Sequence, residues 1–280
     1  MAIGLSNAFV TLFDAEVKQA YQAKAELVGA TRQRRGVEGS TAKFPKVGKG
    51  VASVRIPQTD VTPLNVDFSQ VTATLTDYNA AEYSDIFMQQ KVNFDERQEL
   101  VQVVANAIGR RQDQLIIDAL EGSSTSLTVG NDIGGTDTNL NVAKLREAKK
   151  LLDGKNVPPQ DRHIVLHANN LAALLGETEA TSTDFNSVKA LVSGEINTYL
   201  GFNFHVLGDR SEGGLTIDGS SDRTVMAFHK DAIGYAEGMA PKTEINYVPE
   251  KTSFLVNAMF SAGAVAIDAE GIVDITCRES

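Results

Sequence analysis

The feature that most constrains the fold is a long amphipathic stretch from Phe94 to Glu121, which predicts one continuous helix. Asn93 and Glu96 provide a cap pairing at its start, and Gly122 follows its last turn. At ~1.5 Å per residue the helix is ~42 Å long, well beyond the mean globular helix of about 11–12 residues. It therefore predicts a spine for the fold. Its apolar face follows helical spacing and comprises Leu100, Val103, Val104, Ala107, Ile108, Leu115, Ile116 and Ala119.

The segment before this helix predicts a long, exposed, two-stranded excursion over residues 40–78. Residues 40–63 combine three prolines and two glycines with short extended pieces, and residues 64–78 alternate with period two, as a strand does. An isolated two-stranded ribbon is only marginally stable in water. We therefore expect other structure to support it, and a second subunit is a natural candidate.

The remainder of the chain predicts an α+β fold in which helices and strands do not form a strict βαβ array. Its predicted helices are Asn141 to Asp153, Asn169 to Leu175 and Asn186 to Leu200; its predicted strands are His163 to His167, Phe202 to Leu207 and Thr224 to Phe228, with further strands from Lys242 to Cys277.

Charge is distributed unevenly along the 280 residues. The net charge is −10, yet residues 1–59 carry nine lysines and arginines against four acids, which leaves −15 for the rest. A basic leading segment can bind nucleic acid, bind the acidic body of a neighbouring copy, or form a solvated tail. The charge distribution alone does not distinguish among these three interpretations.

Composition and motifs argue against several classes of function. There is no apolar run long enough to span a membrane and no secretory signal pattern at the start. Cys277 is the single cysteine, which excludes an intrachain disulfide, fits a reducing compartment and predicts a small packed residue. There is no P-loop, nucleophile elbow or dinucleotide fingerprint. His163 and His167 have helical zinc-ligand spacing, but the apolar residues between them predict a strand, so we expect no metal site.

The order of elements and two stretches of sequence resemble the major capsid protein of tailed bacteriophages, which has the Hong Kong 97-type fold. The first stretch, LVSGEINTYLGFNFHVL (Leu191 to Leu207), runs from a helix through a glycine into a strand. The second, MAFHKDAIGYAEGMAPKTEINY (Met226 to Tyr247), is followed by FSAGAVAIDAEGIVDITC (Phe260 to Cys277). Each motif is loose, and their combination and order carry the likeness.

The resemblance implies a division of the chain. We expect an amino-terminal arm (1–35), an extended loop over a neighbouring subunit (36–78), a peripheral domain with the spine helix 94–121 (79–140), an α/β axial domain (141–235), and carboxy-terminal strands that return to the peripheral domain (236–280).

The resemblance also implies a structural, non-enzymatic role in the virion capsid, assembled in the bacterial host cytoplasm, with no cofactor, metal or catalytic residue. Expected partners are further copies of the chain in hexamers and pentamers, a separate scaffolding protein, a portal protein, an optional decoration protein, and packaged double-stranded DNA bound without sequence specificity. No membrane is expected, and no covalent crosslink between subunits. The candidate inter-subunit contacts, to acids on a neighbour, are Arg32, Arg34, Arg35, Lys43, Lys46 and Lys49.

Two alternatives remain open at this point. An encapsulin-type cellular compartment shares the fold but encloses enzymes. A soluble enzyme would need a site assembled from His205, His229 and nearby acids.

Overall fold

The computed structural model describes residues 25–58, 60–61, 63–89, 96–177 and 198–279, and these ranges contain twelve strands and four helices. The strands are β1 (Arg32–Arg35), β2 (Thr41–Val47), β3 (Phe68–Thr74), β4 (Thr76–Asp85), β5 (Thr128–Val129), β6 (Arg162–His167), β7 (Thr198–Tyr199), β8 (Phe202–Leu207), β9 (Asp222–His229), β10 (Ile233–Val248), β11 (Ser253–Ala266) and β12 (Ile272–Arg278). The helices are α1 (Ile86–Gln89), α2 (Glu96–Glu121), α3 (Val142–Gly154) and α4 (Ala168–Leu175).

Helix α2 packs on a four-stranded sheet of order β1-β10-β11-β4. Its apolar stripe, including Val104 and Ile108, forms one buried cluster with Val256, Ala258 and Phe260 of β11. The predicted helix is thus confirmed over the 26 described residues of α2; positions 94 and 95 lie outside the described residues. The stripe buries itself against β11 because its 3.6-residue period keeps one face towards the sheet.

A six-stranded sheet of order β5-β12-β9-β6-β8-β7 forms the second half of the fold. Helix α3 covers one face, where Leu145, Ala148 and Leu152 are fully buried. The other face contributes Val165 and Phe228 to the same cluster as α2. Helix α2 therefore joins the two sheets through one continuous core.

Strands β2 and β3 form a separate antiparallel hairpin, with Thr41 opposite Thr74 at its root and Val47 opposite Phe68 towards its tip. The sequence predicted one strand over 64–78, whereas the structure divides that stretch at Leu75 into β3 and β4. Leu75 donates its amide to Ser40 O at 2.9 Å. The chain thus leaves the hairpin and enters the four-stranded sheet within one residue.

One sequence prediction needs correction. The helix predicted from Asn186 to Leu200 is wrong at its end, because Thr198–Tyr199 is strand β7, paired with β8, and Leu200 has a left-handed φ of 50°; positions 186–197 lie outside the described residues. The strands of 236–280 divide between the two sheets: β11 lies in the four-stranded sheet, whereas β12 lies in the six-stranded sheet beside β9.

The predicted α+β class is confirmed by this architecture. Within the described part of the chain, no helix has the length and apolar character needed to cross a bilayer.

Candidate assembly surfaces

The root of the β2–β3 hairpin is packed firmly against the four-stranded sheet. Ala42, Phe44 and Ala73 are buried in a small cluster with Ala236 of β10 and Ile267. Alternation puts these three side chains on the inner face of the hairpin, while their neighbours face solvent. The hairpin root is therefore part of the body of the protein.

Two glycines permit the close approach at this root. A Cβ on Gly263 of β11 would lie 2.0 Å from the carbonyl oxygen of Thr74, and one on Gly234 of β10 would lie 2.8 Å from the Phe44 ring. Real Cβ atoms do not approach other atoms so closely, so only glycine fits without a shift of the Thr74 backbone or of the Phe44 ring. These two positions determine how tightly the hairpin lies on the sheet.

Lysines on the outer part of the hairpin pair with acids of the same chain. Lys46 Nζ lies 2.8 Å from Asp268 Oδ1, and Lys49 pairs with Glu270. The second pair raises the pKa of Lys49 and lowers that of Glu270, in both cases chiefly through their hydrogen bond. Lys155 Nζ also lies 3.4 Å from Glu270 Oε1. Because water and salt screen exposed ion pairs, these pairs hold the hairpin less strongly than the packed root does.

The tip of the hairpin exposes an unusual amount of apolar surface. Val51, Val54 and Val61 are 86%, 93% and 88% exposed, and Phe68 at the end of β3 is 81% exposed. Single exposed apolar residues are ordinary, but several in one short segment are typical of a surface that binds another protein. The tip therefore has the character of an interface left uncovered in the single chain.

The other predicted contact residues lie on or beside strand β1. All four residues of β1, RQRR, are exposed at the edge of the four-stranded sheet. Arg34 Nη1 donates to Lys43 O at 2.7 Å, which places β2 beside β1. The structure thus separates the six candidates: Arg32, Arg34, Arg35 and Lys43 form a basic edge, whereas Lys46 and Lys49 pair within their own chain.

A buried carboxylate on α2 holds the segment at Glu26 and Leu27, which precedes β1. Asp113 is fully buried and accepts hydrogen bonds from the backbone amides of Glu26 and Leu27, at 3.1 and 3.0 Å. Arg210 Nη1 completes the site at 2.9 Å. Gly109, one turn earlier in α2, lies so close that its Cβ would be 3.1 Å from Ala25 N. Sequence reasoning missed this anchor, whose one signal is the polar run Gln112 to Gln114 within an apolar helix.

The histidines considered for catalysis make hydrogen bonds that hold neighbouring parts of the fold together. His163 Nδ1 and His205 Nε2 lie 3.0 Å apart and share a hydrogen bond on neighbouring strands. Burial, followed by the charge of His205, lowers the pKa of His163 to about 4, and burial also lowers that of His205. His229 instead accepts from the amide of Asp231 as the cap of a short turn. Among the described residues no group of three or more His, Cys, Asp or Glu side chains is placed to bind a metal.

The single cysteine and the buried lysine beside it also serve packing. Cys277 is buried in β12, and burial raises the pKa of its thiol to about 12, so it remains protonated and unreactive at neutral pH. Lys144 of α3 is fully buried, and its Nζ donates to Thr138 O at 2.6 Å and Thr276 O at 2.8 Å. It ties α3 to the end of β12.

Comparison with known proteins finds one family and several structures that match nearly the whole chain. A model of a family described as phage capsid protein matches residues 5–279. The fold matches the capsid structure of cyanophage P-SCSP1u with a TM-score of 0.76 at 17% identity, covering 100% of this chain and 96% of that one. It matches the capsid of Helicobacter pylori bacteriophage KHP30 with a TM-score of 0.76 at 12% identity, covering 99% and 97%. It matches Mycobacterium phage Che8 with a TM-score of 0.69 at 17% identity, covering 97% and 98%. No curated protein sequence matches the chain.

Proposed function

This chain belongs to the phage capsid protein family, and we propose that it assembles as hexamers and pentamers into an icosahedral head that encloses double-stranded DNA. The predicted Hong Kong 97-type fold and the predicted structural, non-enzymatic role as a coat protein of the virion are both confirmed. The proposal adds three points to this: the hexamers and pentamers, the enclosed DNA, and the residues that make the contacts.

The observation that carries this proposal is a hairpin with a buried root and an exposed apolar tip. The root fixes the direction of the hairpin through Phe44 and the glycines beneath it. The tip then presents Val51, Val54 and Val61 to solvent in the single chain. Covering this surface with another copy removes apolar area from water, and each copy both gives and receives such a contact. Weak contacts repeated around a closed shell add up to a stable particle.

The earlier division of the chain enters the proposal with one adjustment. We assign 36–78 to the extended loop, 79–140 with α2 to the peripheral domain, and 141–235 to the axial domain. Strand β12 belongs with the axial part because it pairs along its whole length with β9. A separate scaffolding protein and a portal protein remain the expected partners, and a net charge of −10 suits a container that does not trap the DNA it packages.

The experiment is to co-express the chain with its neighbouring genes and to measure particle mass by light scattering, with electron micrographs of the same fraction. Closed shells of uniform size are the expected result. A 30.0 kDa species that persists with every neighbouring gene present would contradict the proposal. Shells that contain a cargo enzyme in place of DNA would support the cellular compartment.

Variants of the tip test the observation itself. Val51→Ser with Val54→Ser makes the exposed tip polar, and we expect the loss of shells with unchanged thermal unfolding of the chain. The control is Ile217→Ser, since Ile217 is also exposed, at 45%, but lies far from the hairpin in sequence. If the tip variant and the control assemble with equal yield, the tip is not an assembly surface.

A further inference from the structure

The four-stranded sheet has edges of opposite charge. Strand β1 forms one edge, and its sequence RQRR contains three arginines and no acid. Strand β4 forms the other edge, and its sequence TDYNAAEYSD contains three acids and no base. The sheet is therefore electrically polar from one side to the other.

The basic edge keeps its positive sign when its neighbours are included. Lys43 lies beside it through the hydrogen bond of its carbonyl oxygen to Arg34. The acids closest to it in sequence and register are Glu38, which is exposed, and Glu237, which faces Arg35 across the ladder and is 8% exposed. Four cations thus face two carboxylates, of which one is buried.

The acidic edge offers charge on both faces of the sheet. Asp77 and Glu82 are both exposed, and because they are five positions apart they lie on opposite faces of β4. The cations closest to β4 include Arg111, which lies over the Tyr78 ring, and Lys251, which lies over the Tyr83 ring. Arg32 and Arg35 likewise lie on opposite faces of β1, so the two edges match on each face.

The two edges of one copy do not neutralise each other. They are separated by three strand-to-strand steps of about 4.8 Å, or roughly 14 Å. That distance exceeds the screening length of about 8 Å at physiological ionic strength. Each edge therefore presents its charge outwards.

We propose that the β1 edge of one copy contacts the β4 edge of the next copy, and that this charge-matched contact joins copies head to tail. The inference rests on the proposed shell function and names the acids that the basic edge meets. Strand β1 is parallel to β10, and β4 is antiparallel to β11, which is itself antiparallel to β10. Strands β1 and β4 thus run in the same direction on opposite sides of the sheet. A contact between them joins two different surfaces, and such a heterologous contact forms a ring when the rotation between copies closes.

The test exchanges the charges of the two edges in the co-expressed chain. Arg32→Glu with Arg35→Glu places like charges at the contact, and so does Asp77→Lys with Glu82→Lys. We expect each pair of substitutions to reduce shell yield by about tenfold or more, because apposed like charges at an interface are strongly unfavourable. The chain with all four substitutions restores opposite charges and is expected to recover most of the yield.

The control reverses two cations of α3, Lys149→Glu with Lys150→Glu, and is expected to leave shell yield unchanged. Thermal unfolding of each variant shows whether it folds. If the arginine reversal fails to fold, Arg32→Gln with Arg35→Gln replaces it, and if the acidic reversal fails to fold, Asp77→Asn with Glu82→Gln replaces it; the expected result is then a smaller loss of yield. If the wild-type chain forms shells and both reversals form them with the same yield, this inference is overturned while the shell function stands. Normal shells that lose DNA on arginine reversal also overturn it and favour nucleic acid as the partner. Failure of the wild-type chain to form shells counts against the shell function itself.

Discussion

Replacement of Asp113 by asparagine tests how much the buried site on helix α2, which holds Glu26, Leu27 and Arg210, stabilises the fold. The substitution retains the shape of the side chain but removes its charge, which leaves the Arg210 guanidinium unpaired. The Arg210 side chain is 2% exposed and the Asp113 side chain is fully buried, so water does not replace the lost partner. Removal of one member of a buried ion pair costs about 3–5 kcal/mol. Since whole domains are stable by about 5–15 kcal/mol, this single substitution lowers the free energy of unfolding by a large fraction.

The assay is urea unfolding of the unassembled chain, followed by far-ultraviolet circular dichroism because the chain has no tryptophan. Unassembled chain is needed, since assembly adds stability by mass action. Glu147→Gln is the matched control, because it makes the same chemical change in the exposed pair with Lys150, at 2.9 Å. Exposed helical pairs are worth about 0.2–0.5 kcal/mol, so the control is expected to remain near the wild type.

Addition of Arg210→Met to Asp113→Asn separates the ion pair from a general packing defect. With the unpaired charge removed, the double variant is expected to lose less stability than the sum of the two single variants, as coupled sites do. A loss below about 1 kcal/mol for Asp113→Asn, set against the 3–5 kcal/mol expected for a buried pair, would refute the reasoning. Strict additivity of the two substitutions would refute it as well.

Three further predictions concern the hairpin, the buried lysine and the histidine pair. Gly263→Ala places a methyl group against Thr74 O, and we expect a loss of about 1–3 kcal/mol in thermal unfolding together with faster hydrogen exchange in the hairpin. Lys144→Met removes the Lys144 ammonium from Thr276 O and from Thr138 O, which keeps the Arg278 amide as a donor, and urea unfolding should show a loss of about 1–3 kcal/mol. The folded-state pKa of His163 is about 4, below its usual 6.5, so its contribution to stability is present above pH 6.5 and is lost as pH falls towards 4; His163→Gln should flatten that part of the stability profile. Asp274, with a pKa raised to about 6 by burial, acts in the opposite direction, but it is present in both the wild type and His163→Gln. Equal slopes of the free energy of unfolding against pH, between pH 4 and 6.5, in the two proteins would therefore contradict the assignment to His163.

Periodicity was enough to predict the elements whose burial is one-sided. Helix α2 and strand β8 were predicted almost to the residue because their apolar spacing follows a single face. The hairpin was predicted for the same reason, since its inner face alternates with its solvent face. Strand β10 was predicted only from Lys242, because Gly238 and Pro241 interrupt its pattern; the structure accommodates them as register shifts between Glu237 and Lys242.

Partners across the fold were beyond the reach of sequence patterns. The sequence assigned Lys46 and Lys49 to acids on a neighbour, yet each finds an acid in its own chain more than two hundred positions away, at Asp268 and Glu270. No periodicity encodes such a long-range pair. The inter-subunit role of the remaining basic residues stays a prediction, which the edge-reversal experiment tests.

The position of β12 also bears on when the protein becomes able to fold. This strand comes last in the described chain, yet it lies inside the six-stranded sheet, between β5 and β9. The ribosome must therefore translate as far as Arg278 before β9 gains its second neighbour and Lys144 gains one of its two carbonyl acceptors. A chain that stops before Ile272 lacks that closing strand. Without it, β9 has an open edge in place of its ladder with β12, and Lys144 loses its acceptor on Thr276; we therefore expect such a chain to be less stable than one that contains β12.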